Sequence, residues 1–320
     1  LTDVRDNLWL MSNELDQMSP RPDLRIGIVG FSRPSFGKNN AYVKVLSNLT
    51  NDLDHVAAEL YRLKPSIEKG DQIVSAALNA AINDMDWSKE DQAAKIIFIV
   101  GNGMVTANGY EYVKSCEAAV ANNIVVNSVY VMKSNWFKEI AGWRRIATIS
   151  GGMQMEVTIN KAEPVAIWKS DWKALSKVNT QLNNTFMWTG NDSSYCRKEM
   201  ATSDSGAFYA GLETFSHRLF YKSSDRFLKA IRHCDLYFND GSNNVLESTA
   251  EQDMNREKSA FDQRVEELSH IRKEKFKQVR DLLGDQPPKD LFNQYASNGL
   301  SDEGIFHRII LKVVMKQWKP

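Results

Sequence analysis

The sequence predicts an α/β fold, a doubly wound and mostly parallel sheet, followed by a mainly helical C-terminal region. Three observations carry that expectation. Apolar, β-branched runs at Leu24 to Phe31, Lys95 to Val100 and Ile124 to Val131 read as strands buried in a sheet. Segments with helical spacing separate them, and such alternation is the pattern of right-handed βαβ units. Beyond Trp168 the strand signal fades while helical periodicity continues. The expected division is therefore an α/β domain over 1–168 and a helical extension over 169–320.

Taken in order, Leu8, Leu10, Met11, Leu15 and Met18 fall near helical spacing, and Pro20 and Pro22 end that pattern. Leu24 to Phe31 is the first strand, with a partner expected at Tyr42 to Leu46. Thr50-Asn51-Asp52 offers a helix N-cap before Leu53, Val56, Ala57, Leu60 and Leu63. A second helix is expected from Gln72 to Met85, then the strand ending at Gly101, a helix over Tyr110 to Ala121 and the strand at Ile124 to Val131. A helix from Trp136 to Ile149 closes on Gly151-Gly152, and Met153 to Ile159 supplies an edge strand.

In the extension, residues 171–185, 206–236 and 251–283 favour helices. Polar loops at Thr189 to Ser194 and Asn239 to Asn244 join them. The last of these helices mixes Lys and Arg with Glu and Asp along its length, and Phe261, Val265, Leu268 and Ile271 form an apolar stripe. That pattern predicts a coiled-coil-like hairpin or a packed arm. The final thirty residues read as an appended helix or strand.

Composition narrows the function classes. The 320 residues are 42% hydrophobic, enough for a buried core, and 40 basic residues balance 40 acidic ones. No global field is available for a phosphate backbone, so nucleic acid is not an expected partner. No apolar run reaches the length of a spanning helix. Three cysteines, Cys116, Cys196 and Cys234, lie too far apart for a zinc ribbon or a Cys-x-x-Cys pair, and thiolate metal binding is not expected from their spacing. Cys196 and Cys234 read either as a bridge, which suits an exported protein, or as buried free thiols.

Catalytic signatures are missing from the pattern. Gly27-Ile28-Val29-Gly30 lacks the third glycine and the immediate helix of a dinucleotide fingerprint, so Gly27 reads as close packing inside a strand. None of the five histidines stands at the helical spacing of a zinc pair. His233 and Cys234 are adjacent, so their side chains are not expected to face each other. Ser150-Gly151-Gly152 lacks the strand-turn-helix setting of a nucleophile. Gly101-Asn102-Gly103 ends a buried strand where open sheets bind ligands, and reads as a site or as a plain turn. The eight tryptophans read mainly as core or domain-contact anchors.

The order of several pieces resembles the von Willebrand factor A family, particularly bacterial exported members. The pieces are Leu-Arg-Ile-Gly-Ile-Val-Gly-Phe at 24–31, Leu-Thr-Asn-Asp-Leu-Asp at 49–54 and Gly70-Asp71 before Ala-Leu-Asn-Ala-Ala-Ile at 77–82. Trp87-Ser88, Lys-Ile-Ile-Phe-Ile-Val-Gly at 95–101 and Ile-Val-Val-Asn-Ser-Val at 124–129 complete the set. Val178 to Phe186 with Gly190, and Tyr221 to Asp225, are similar to an extension that follows such domains in some bacterial proteins. The resemblance implies a Rossmann-like sheet wrapped by helices and a divalent ion, commonly Mg²⁺, at its carboxyl edge.

The sequence departs from the family pattern at three points. The Asp-x-Ser-x-Ser loop and its strand are missing, which predicts truncation upstream of Leu1. Asp71 stands where a Thr is expected, and Asn102 where an Asp is expected. Asp71 and Asn102 are then the ligand positions left for Mg²⁺, and Ser32, Arg33, Ser35, Gln72, Gly103 and Thr106 are the positions for contact with a partner. The expected function is non-catalytic recognition of a protein partner in the bacterial periplasm, at the cell surface or in the secreted space, with or without a divalent ion. The alternatives are a non-catalytic subunit of a metal- or ATP-dependent assembly, or a structural component that self-associates through the helical region.

Overall fold

A computed structural model describes residues 22–63, 73–105, 111–131, 137–157, 172–231, 233–235 and 251–283, with 8, 9, 11–13, 15 and 16 near the start. The described residues fall into two compact units, one within Leu1–Ala162 and one within Glu163–Asn298. The border expected at Trp168 falls in a stretch outside the described residues.

The first unit is mixed α/β. Strand β1 (Ile26–Gly30) pairs antiparallel with β2 (Lys44–Thr50). Three further strands, β3 (Lys95–Gly101), β4 (Ile124–Val131) and β5 (Gly151–Val157), form a parallel sheet in that order. Helix α1 (Leu53–Arg62) starts where expected, because Asp52 accepts from the Asp54 and His55 amides at 3.0 and 3.2 Å. It buries Leu53, Val56, Ala57 and Leu60. Helices α2 (Val74–Asn83), α3 (Glu111–Ala121) and α4 (Phe137–Ile149) belong to the same unit, as do the helical residues 8, 9, 11–13, 15 and 16 near the start.

Val74, Leu78 and Ile82 of α2 share one core with Ile99 of β3, Cys116 of α3, Ile124 and Val126 of β4, and Trp143 of α4. The β3–β4–β5 order with a helix in each connection is the expected parallel βαβ arrangement. The five described strands form two ladders rather than one continuous doubly wound sheet.

Two of the boundaries that differ from expectation have a local reason. Ala41 and Tyr42 have positive φ, 51° and 59°, so the second strand begins at Lys44 instead of Tyr42. Gly151, at φ 67°, follows the end of α4 as expected, and Gly151-Gly152 also opens β5, two residues before Met153. A Cβ on Gly152 would lie 2.1 Å from the Val126 carbonyl oxygen, so only glycine fits that approach. The ladder is irregular between Val126 and Ser128, and the buried Asn127 side chain accepts the Met153 amide there at 2.9 Å.

The second unit is helical: α5 (Trp172–Asn183), α6 (Ser193–Ala210), α7 (Leu212–Lys222), α8 (Asp225–Ala230) and α9 (Glu251–Leu283). Leu175, Leu182, Phe215, Leu219 and Phe227 are buried in it. A packed arm describes α9, which contacts α5 and α7 and buries Leu268, Arg272, Val279 and Leu283 along one stripe. No helix among the described residues is long and apolar enough to cross a membrane.

Candidate functional site

The carboxyl ends of β1 and β3 meet at the edge that the sequence marked. Phe31, one residue beyond β1, packs on the core of the α/β unit, and its ring lies 3.6 Å from where a Cβ on Gly101 would stand. The segment leaving β1 and the turn leaving β3 therefore emerge side by side.

The first of these segments folds into two short 3-10 turns, Pro34–Phe36 and Lys38–Asn40. Phe36 turns back over Gly30, where a Cβ would meet its ring at 2.8 Å. The Arg33 guanidinium lies 5.6 Å from the centre of that ring, within cation–π range. Ser32 adopts φ 64°, and its buried Oγ meets no hydrogen-bond partner among the described residues. Pro34, Ser35, Lys38, Asn39 and Asn40 are exposed. The result is a folded base under a polar top.

The turn after β3 is fixed by α4. The Glu139 carboxylate accepts the Gly103 amide at 3.1 Å, and the Trp143 indole donates to the Gly103 carbonyl at 2.9 Å. Both backbone groups of Gly103 are thus held, at a φ of 85° that favours glycine. The same Glu139 oxygen accepts from the Tyr130 hydroxyl at 2.7 Å. Burial, together with that carboxylate, pushes the Tyr130 pKa up to about 12, so the phenol stays protonated at physiological pH. On this rigid turn Met104 is 47% exposed, an apolar side chain beside polar neighbours.

Of the positions read from the sequence, Ser32, Arg33, Ser35, Asn102 and Gly103 are described and share this edge. Asp71, Gln72 and Thr106 lie outside the described residues. Glu139, Tyr130 and Met104 were not singled out from the sequence. Glu139 sits on a distant helix and Met104 carries no motif, so no pattern in the chain marks either.

A hard divalent cation requires several oxygen ligands with net negative charge. Among the described residues this edge presents the neutral amide of Asn102 and one carboxylate, Glu139, with an oxygen already accepting two hydrogen bonds. These are fewer oxygens than a divalent ion takes, and Asp71, the other position read as an Mg²⁺ ligand, lies outside the described residues.

In the helical unit, Cys196 and Cys234 are joined as a disulfide, with Cα atoms 6.4 Å apart. Cys116 is a buried free thiol, and burial raises its pKa. A polar cluster also lies inside this unit. Asp204 pairs with Arg218 and Lys222, each at 2.8 Å, and accepts from Asn179 and Asn183. Burial alone would raise the Asp204 pKa, but the two cations hold it well below the usual carboxylate range. These charges satisfy one another in the interior and have a structural role. No family model matches the chain, and no curated protein matches it.

Proposed function

We propose that the α/β unit is a von Willebrand factor A-type recognition domain that binds a protein partner through the loops at the carboxyl edge of its sheet. In this reading the β1–β2 and β3–β4–β5 ladders belong to one doubly wound sheet, and α2 supports both. Its contacts with β1 and β2, and its share in the core with β3 and β4, favour that arrangement. The setting is the bacterial envelope or secreted space, and the role is non-catalytic.

The observation that carries the reading is Met104. It is an exposed apolar side chain on a turn fixed by Glu139 and Trp143, next to the polar segment from Ser32 to Asn40. An exposed apolar side chain on a fixed turn beside a polar segment suits a protein contact, and methionine adapts to varied partners.

The test is capture of envelope proteins by the intact chain, by Met104→Glu and by Asn123→Glu, each with and without a chelator. Asn123 lies at the opposite end of β4 and serves as the control. Retention of the same protein by the parent chain and Asn123→Glu, loss with Met104→Glu and indifference to chelator support the reading. Equal capture by all three variants contradicts it.

A further inference from the structure

The spacing of the cysteines argues against thiolate metal binding, but the fold closes that spacing. Cys196 lies in the first turn of α6, and His233 and Cys234 lie in the turn beyond α8. The ligand atoms of all three residues fall within 4.8 Å of one another, and the Cys196 sulfur is 3.6 Å from His233 Nε2. We propose that reduction of the Cys196–Cys234 disulfide converts this cluster into a zinc site, with two thiolates and the His233 imidazole as protein ligands and water as the fourth.

The chemistry of the donors selects the metal. Two sulfurs and one imidazole suit Zn²⁺, whereas Mg²⁺ and Ca²⁺ require oxygen. Cys196 and Cys234 are buried, at 8% and 0% exposure, while His233 is exposed, so the cluster opens to solvent on its imidazole side. That opening gives the ion a path and leaves room for water. The N-terminal end of the 18-residue α6 also favours the thiolate of Cys196.

The frame of the site does not depend on the disulfide. Asp235 is held by Arg272 at 2.7 Å and accepts the Met187 amide at 3.0 Å. The Cys234 carbonyl accepts the Thr189 amide at 2.9 Å, and the Cys234 amide donates to Ile231 at 2.8 Å. These bonds keep the 233–235 turn in place when the sulfurs part. The Cα separation of 6.4 Å lies near the long end of the roughly 4.4–6.8 Å disulfide range. Thiolates on one zinc ion sit roughly 3.7 Å apart, a separation that side-chain rotation can supply.

The steps balance. A dithiol reductant gives two electrons and two protons to the disulfide, leaving two cysteine thiols and the reductant's own disulfide. Zn²⁺ then displaces both thiol protons, and the neutral imidazole coordinates without proton loss.

The experiment compares the full chain as isolated with the chain reduced by a phosphine and desalted without oxygen. Thiols are counted, and Zn²⁺ is titrated against a chromophoric chelator. The expected result is about one equivalent of zinc bound after reduction and none before. Co²⁺ should give a thiolate-to-metal charge-transfer band under the same conditions. His233→Ala should weaken binding by more than about tenfold, and Cys196→Ser should abolish the band.

Circular dichroism reports whether the reduced chain keeps its helices. No zinc uptake by a folded, reduced chain overturns the proposal, as does undiminished uptake in a folded Cys196→Ser, Cys234→Ser variant. It is equally overturned if the bridge resists reduction in the native state, or if the reduced chain unfolds and zinc does not restore it.

Discussion

At the residue scale, the helical unit is defined by buried polar groups that differ in what they gain from burial. His217 of α7 is 3% exposed, its Nδ1 meets no hydrogen-bond partner among the described residues, and burial lowers its pKa to about 4. The native state therefore holds a neutral ring while the unfolded chain protonates near pH 6.5. The contribution is complete above that value, declines as pH falls and is gone near pH 4, a loss of about 3 kcal/mol. Denaturant unfolding from pH 7 to 4.5 should show this slope, and His217→Leu should flatten it. Asp204 has the opposite reason for being inside, since Arg218 and Lys222 neutralise it. Asp204→Ala strands two buried cations and should cost roughly 3–5 kcal/mol in chemical denaturation. A loss under 1 kcal/mol would mean that the cations find water instead.

At the scale of elements, the strands were the most legible part of the chain. Lys95 to Val100 and Ile124 to Val131 read correctly because both are β-branched runs in a parallel sheet, β4 mostly buried at its centre and β3 half-buried beside it. The part of α6 before residue 206 was not legible. Its buried residues include Glu199, Ser203 and Asp204, so the inward face reads as polar, and the salt links that make it acceptable come from another helix. The start of β5 was read two residues late because Gly151-Gly152 serves as the helix stop and as the strand start at once. The glycine is needed for its approach to β4. Gly152→Ala should destabilise the α/β unit by at least about 1–3 kcal/mol in thermal unfolding, because the obstructing Val126 carbonyl is backbone and cannot turn aside. The site was legible only in part. Sequence order led to the loops at Ser32 and Asn102, but Glu139, Met104 and the approach of His233 to Cys196 arise from tertiary closure alone.

At the scale of the whole molecule, the helical unit is a packed body rather than a free arm. Arg272 of α9 reaches Asp235 at 2.7 Å, bonds both the hydroxyl and carbonyl of Thr185, and lies 4.5 Å from the centre of the Phe186 ring. With the described apolar stripe of α9 turned inward, self-association through this helix is not expected. Sedimentation velocity should give one species whose coefficient does not rise with concentration. A reversible dimer abolished by charged substitutions in α9 would favour the structural alternative over recognition.

The most direct test of recognition at the carboxyl edge is site-specific photocrosslinking in the intact envelope, with the reactive group placed at Ser35, at Met104 or at the control position Asn123. The same adduct from Ser35 and Met104, and none from Asn123, is the expected result. Different adducts from the two loop positions, or equal labelling at Asn123, would contradict a single recognition surface at that edge.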